Sequence, residues 1–337
     1  MEYFQLGKTD LFVSPLCLGT SKYGTGLSKE FAFRQLDAFV ERGGNFIDTA
    51  HVYGDWEPGE SARSERVLGE WLRKNKGREK LVIATNGAHP RLETMSLSRC
   101  TPLDIETDLN ESLSCLGVDC VDLYFLHRDD VALPVSHMLD CLEKARGEGK
   151  IRHYGCSNWT LPRIREADAY ARQTGIEGFS CNQLMWSLAQ TNVEKIPDKS
   201  MVAMDSETYE WHKKSAMSVT SYHSTAHGWF AKQHAGETVT DRCRDLYEND
   251  TNTAILSIVS RAAKQLSLSV TDISLGYMTA QPFSSVPITS FSSDSQLDAG
   301  MRACEVKLPR ALVDELNAAK GLVLRHRPGP AGAFRWE

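Results

Sequence analysis

From Leu16 to Ala303 the chain alternates short apolar runs with longer segments whose apolar residues recur every three to four positions. The runs Leu16–Leu18, Asn45–Asp48, Leu81–Ala84, Val121–Leu126, Arg152–Cys156, Gly178–Asn182, Ser218–Tyr222 and Ser285–Ile288 predict strands. Between them, helices are predicted from Ser28 to Arg42, over Ser64–Lys74, from Thr101 and Pro102 to a stop at Gly117, and over Val135–Arg146, Pro162–Arg172, Thr253–Leu266 and Ser295–Ala303. Repeated strand–helix units predict a parallel sheet with right-handed crossovers, and eight of them close into a (β/α)8 barrel. Four stretches fall outside that count. Tyr3–Leu6 and Leu11–Val13, separated by GKTD, predict a β-hairpin before the first barrel strand. Val270–Thr279 and Leu308–Ala319 predict two extra helices, and about Gln190–Ser206 is a long polar stretch.

Composition supports this picture. The 337 residues are 41% hydrophobic and 24% charged, ordinary usage for a globular chain with one large core. No Pro/Gly/Ser linker divides them, so residues 1–337 are expected to form a single domain. A net charge of −6, with no basic stripe, argues against nucleic acid as a partner. No apolar run approaches the ~18 residues that cross a bilayer, and the first residues, MEYFQLGKTD, lack a signal-peptide pattern. The nine cysteines are scattered without a CxxC pair, which fits free thiols in a reducing, cytoplasmic setting and gives no metal-ligand spacing.

In a parallel barrel the C-terminal strand ends converge on one face, and function sits there. At those positions the sequence carries Asp48 with Tyr53 five residues on, Asn86, His127, Ser157 and Asn158, Asn182 and Gln183, and Tyr222 with His223. Each alone is an ordinary structural residue; a tyrosine, a histidine and a carboxylate converging on one pocket can make a proton donor and its orienting network.

Four segments carry a resemblance: FIDTAHVYG (46–54), DLNESLSCLGVDCVDLYFLHRDD (108–130), GKIRHYGCSNW (149–159) and SYHSTAHGWF (221–230). In this order and combination the chain resembles the aldo-keto reductase superfamily, and specifically its bacterial-type members, nearly end to end. The resemblance implies a (β/α)8 barrel with an N-terminal hairpin. It also implies a nicotinamide cofactor, NAD(P)(H), bound at the C-terminal face without a metal or a Gly-rich phosphate loop. It implies Tyr53 as the acid that protonates a carbonyl oxygen, His127 orienting that carbonyl, and Asp48 as the carboxylate behind the tyrosine. Ser157, Asn158 and Gln183 would hold the nicotinamide carboxamide, Tyr222 would lie under the ring, and Gly19 and Thr20 would touch its ribose. His223, Ser224, Ala226 and Gly228 would follow the cofactor outward to Ser290, Ser292, Gln296 and Gly300 at the adenosine end. His51, Trp56, Arg128 and Trp186 are the expected substrate rim.

Two departures stand out. The family's fourth catalytic residue is a lysine after the third strand; here ATNGAHP (84–90) puts Asn86 there, and Asp48 loses its countercharge. An engineered low-activity variant, a natural enzyme of altered chemistry, and a chain that binds cofactor without efficient turnover are all compatible with it. After the eighth strand, PITSFSSDSQLDAG (287–300) lacks the basic residue that holds a 2′-phosphate, which favours NAD(H) over NADP(H). The expected activity is hydride transfer between NAD(P)(H) and a carbonyl or alcohol. The mixed aromatic and charged rim leans to a sugar or sugar-derived carbonyl, and the alternative is a cofactor-sensing homologue.

Overall fold

Strands covered on both faces are buried nearly throughout, and those of the ring in this chain are. The computed structural model describes residues 1–322 and contains a closed ring of eight parallel strands. In chain order these are β3 (Cys17–Gly19), β4 (Phe46–Asp48), β5 (Val82–Gly87), β6 (Val121–Leu126), β7 (Ile151–Ser157), β8 (Cys181–Met185), β9 (Ser218–Tyr222) and β10 (Ser285–Thr289). The last strand closes the ring by pairing Ile288 with Cys17 on one side and Val286 with Thr220 on the other. Ahead of it, β1 (Phe4–Gln5) and β2 (Phe12–Val13) form the expected antiparallel hairpin. Its Leu6, Leu11 and Val13 join Phe46, Val82, Leu123, Phe125, Cys181 and Val286 in one cluster inside the ring. The hairpin therefore plugs one end, and the barrel is a packed core rather than a pore.

The first five ring helices are α1 (Lys29–Glu41), α2 (Arg63–Lys74), α3 (Pro102–Leu116), α4 (Val135–Gly147) and α5 (Leu161–Thr174). Their ends follow local rules: Ser28 and Thr101 cap α1 and α3, and Gly117 ends α3 at φ 67°. The polar stretch after β8 runs into a short helix, α6 (Ser206–His212), that the alternation does not predict. Two more short helices, α7 (Trp229–Ala235) and α8 (Asp241–Tyr247), also went unpredicted.

The next pair of helices reverses an expectation. Of α9 (Asp250–Leu266) and α10 (Val270–Thr279), it is α10 that packs on β10 and on α11 (Asp294–Ala303) in the ring. The longer α9 lies outside and pairs with α12 (Arg310–Lys320). The physical reason is coverage. A ring helix roofed by an outer layer loses its polar face, and α10 is buried from Val270 through Met278 at all but Thr271. The helix with a clean one-sided face, Ile255, Val259, Ala262 and Ala263, is the outer one.

The hairpin turn is fastened to β7 by charge. His153 lies between Asp10, 2.7 Å from its Nε2, and Glu177 at its Nδ1, while Arg152 bridges Asp10 at 2.9 Å and Asp122 at 2.7 Å. Burial opposes charge on His153, but the hydrogen bonds from Glu177 and Asp10 prevail and hold its pKa above the usual value. A raised histidine pKa contributes stability that is complete below about pH 6.5 and is lost as pH rises through the folded value. His153→Gln is expected to cost about 1 kcal/mol at pH 5.5 and clearly less at pH 8.5, read from urea unfolding at the two pH values.

Candidate active site

The end of β4 is fixed before any chemistry is considered. The backbone N–H and hydroxyl of Thr20 both donate to the Asp48 carbonyl, at 3.0 and 2.9 Å. The side chain of Asp48 then points inward, 2% exposed, and its Oδ2 accepts from Gln183 Nε2 at 2.8 Å and from Asn86 Nδ2 at 3.3 Å. The same Asn86 nitrogen donates to the Thr49 carbonyl at 2.8 Å, and Asn86 Oδ1 is buried without a donor among the described residues. Burial pushes the Asp48 carboxyl up to about 7, with the Gln183 and Asn86 amides holding it down only in part.

Tyr53 sits on the turn after β4, its edge toward His127 with ring centroids 6.1 Å apart. Burial, then the charge of Asp48, raises the phenol pKa, so the hydroxyl keeps its proton. His127, just past β6, is 8% exposed, and its Nδ1 has no partner among the described residues. Its neighbour His89 lies 4.8 Å away, ring to ring. Burial drives both imidazoles neutral, His89 to about 4, helped by the charge of Arg128 and, at His127, by His89. His89 was not among the expected site residues. Its signal was the short HP step after β5, which only the three-dimensional course of that loop turns toward His127. Trp56 completes this side, half-exposed and 6.3 Å from the Tyr53 ring.

One amide ties the strand ends together. Asn158, at φ 61°, accepts from the Tyr222 hydroxyl at 2.5 Å and from Val202 N–H at 3.1 Å. It donates to the His127 carbonyl at 3.2 Å and to Ser157 Oγ at 3.1 Å. Beyond Tyr222 the chain turns through left-handed residues at His223, Ala226, His227 and Gly228. There Ser224 Oγ reaches the Ile288 carbonyl at 2.7 Å and Thr289 Oγ1 at 2.9 Å. Gly19 is needed where it is: a Cβ there would lie 2.9 Å from Ile288 Cγ2 and 3.1 Å from Ser290 Oγ. Ser290 Oγ donates to the Gly19 carbonyl, and Gln296 accepts from Ser292 N–H at the start of α11.

Several expected positions lie elsewhere. Trp186 is not on the rim; it is 2% exposed and stacked on Phe283 at 5.8 Å, between Tyr209 and Tyr277 in the outer helical layer. An aromatic ring one residue past β8 gains more from that apolar layer than from the mouth. Arg128 is buried and committed: Nη2 pairs with Asp198 at 2.8 Å, Nε bonds Ser200 Oγ at 2.7 Å, and Nη1 bonds the His127 carbonyl at 2.8 Å. It clamps the polar stretch after β8 rather than facing the mouth. The His51 ring is held by Glu111 of α3 at 2.8 Å. Gly300 faces the Phe291 ring, where a Cβ would meet Cζ at 2.4 Å, so its missing side chain makes room for a core aromatic and not for a ligand. Gln183 spends its amide N–H on Asp48.

Asn86 Oδ1 and His127 Nδ1 are two buried polar atoms at this end of the ring without partners among the described residues, which suits a polar ligand seated there. No cluster of metal-ligating side chains occurs among the described residues.

The sequence profile of the Aldo/keto reductase family matches residues 15–320. Curated proteins similar to this chain include an aryl-alcohol dehydrogenase of Pestalotiopsis microspora, 25% identical over 90% of this chain and 78% of that one. An uncharacterized oxidoreductase of Bacillus subtilis is 28% identical over 100% of both chains. Norsolorinic acid reductase B of Dothistroma septosporum is 24% identical over 95% of this chain and 81% of its own. A solved structure of a thermostable aldo-keto reductase superposes with a TM-score of 0.69 over 95% of this chain and 100% of that one; at 19% identity it speaks to the fold. With its closed barrel, hairpin and end-to-end profile match, the chain belongs to the aldo/keto reductase family and is an NAD(P)-dependent oxidoreductase.

Proposed function

We propose that the chain, working as one catalytic unit of the bacterial type, reduces an aromatic aldehyde or ketone, with Tyr53 as proton donor and His127 orienting the carbonyl oxygen. The observation that carries this is the edge-on Tyr53–His127 pair at the mouth, a phenol that keeps its proton beside an uncharged imidazole that still has one N–H to donate. The nicotinamide supplies hydride when bound. Tyr222 would lie under it, with Gly19 and Thr20 at its ribose and His223, Ser224, Ala226 and Gly228 along the diphosphate. Asn158 is filled from within the protein, so Ser157 Oγ and Gln183 Oε1 are left to hold the carboxamide. Ser290, Ser292 and Gln296 would meet the adenosine.

The reading of the rim shifts from sugar to arene. Two of the residues that suggested hydroxyl recognition are spent elsewhere, Trp186 in the outer layer and Arg128 on Asp198. What remains is Tyr53, Trp56 and two uncharged imidazoles, a set of flat apolar faces that suits an aromatic ring. The aryl-alcohol dehydrogenase among the relatives agrees with this choice. By resemblance Asn86 holds the family's lysine position, and its contact with Asp48 is consistent with that placement.

For the cofactor we propose NAD(H). Nothing basic lies between Pro287 and Gly300, and Arg302 is directed to Asp272 of α10 at 3.3 Å. A 2′-phosphate without a cationic partner forgoes roughly 1.5–3 kcal/mol. Fluorescence titration is expected to show NADH binding at least as tightly as NADPH; tenfold tighter NADPH would refute this choice.

The activity itself is tested by following NADH consumption with a panel of aryl aldehydes and ketones beside aldoses. Aryl carbonyls are expected to turn over faster, and Tyr53→Phe to lower kcat by about 10²–10⁴-fold with the dinucleotide Kd little changed. A chain that binds dinucleotide but turns over no member of the panel is the cofactor-sensing homologue instead.

A further inference from the structure

We propose that Asp48 works as a neutral carboxylic acid, held by the Gln183 and Asn86 amides with no cation beside it, and that reduction at Tyr53 stops when Asp48 ionises. This rests on the reading above that Tyr53 is the proton donor.

The groups that face Asp48 come from every neighbouring element, and none among the described residues is basic. From β5 comes the Asn86 amide, and from β8 the Gln183 amide and the Cys181 thiol. From β3 comes the Cys17 thiol, and from the turn after β4 the Tyr53 phenol. Burial, and after it Asp48 itself, pushes the Cys17 thiol up, and burial raises Cys181 to about 12, so neither thiol carries charge near neutrality. Arg128, the cation that acts on Tyr53, is neutralised by Asp198. A buried carboxylate in such surroundings is costly, and the ordinary escape is to keep the proton. Two neutral amides offset only part of that cost, which leaves the acid half-ionised at about pH 7.

The consequence falls on Tyr53. In reduction the carbonyl carbon takes up hydride, the carbonyl oxygen takes the phenol proton, and a phenolate is left that regains its proton from solvent. Beside an ionised Asp48 that phenolate would be a second anion in a water-poor barrel. Beside the acid form it is the only one. Asp48 is thus a positioning residue that sets the direction of the chemistry: donation from the phenol is open below neutrality and closes above it.

The test reads Asp48 directly. Infrared difference spectra of the cofactor-free chain between pH 5.5 and 9 are expected to show a protonated-carboxyl C=O band that fades with a midpoint near pH 7 and is absent from Asp48→Asn. Gln183→Leu removes the nearer amide and should move the midpoint up. Asn86→Lys places an ammonium against Asp48 and should abolish the band at neutral pH, which also keeps the test open if Asp48→Asn fails to fold. In the loaded enzyme, reductive kcat is expected to fall about 30-fold from pH 6 to pH 8.5, the loss of acid form at a pKa near 7, and to lose that fall in Asn86→Lys. A wild-type chain without the band at pH 6, or a flat kcat profile, overturns the proposal. The band in a chain that turns over no carbonyl upholds the neutral acid and removes the reductase reading instead.

Discussion

The barrel of this protein is solid, and that constraint decides where everything else can be. Hairpin side chains from Leu6, Leu11 and Val13 enter one end and meet Phe46, Leu123, Phe125 and Val286 in the middle. No polar group can be placed at that depth without a partner. The polar side chains that point inward therefore collect toward the open end, as Asp48 does at the end of β4, Asn86 near the end of β5 and Gln183 midway along β8. Asp48 accepts from both Gln183 and Asn86 there, and Asn86 Oδ1 is left for a ligand.

The mouth avoids free charge. The histidines are driven neutral by burial, the tyrosine holds its proton, Asp48 lies among amides and thiols, and Arg128 behind them is paired to Asp198. Such a site reads a ligand by shape, hydrogen bonds and aromatic faces. The aryl carbonyl proposed above asks less of such a site than a polyol would, since each hydroxyl of a polyol requires a partner when it leaves water.

What could be read from the sequence was what local rules decide. The strand runs Val121–Leu126 and Ser218–Tyr222 occur with the expected bounds, because a run of buried apolar residues between turn signals has few other places to go. The start of α3 at Thr101–Pro102 and its stop at Gly117 follow from a hydroxyl cap, a fixed φ and a left-handed glycine. Asp48, Asn86 and His127 can be counted off as strand-end positions and Tyr53 as the turn after one, and in the structure Asn86 donates to Asp48 while Tyr53 and His127 meet ring edge to ring. What was not legible depends on the second layer. Coverage by α9 and α12 makes α10 apolar on nearly every side, so a ring helix reads as an extra one. The same layer takes Trp186, and the fold of the polar stretch after β8, invisible to periodicity, takes Arg128. His89 joins His127 only through the turn of a loop.

Closure has a consequence in time as well as in space. The first and last barrel strands are neighbours, and Ser290 reaches the Gly19 carbonyl across 271 residues of chain. A growing chain has β3 and its hairpin early but cannot complete the ring until β10 has been made. Until then β3 and β9 present open edges, each a template for pairing with another copy. Contacts of such long sequence separation are also slow to form, because the loop-closure entropy must be met first. During synthesis the incomplete barrel is thus an open curved sheet for most of its length, and protection of those two edges falls to whatever holds nascent chains apart.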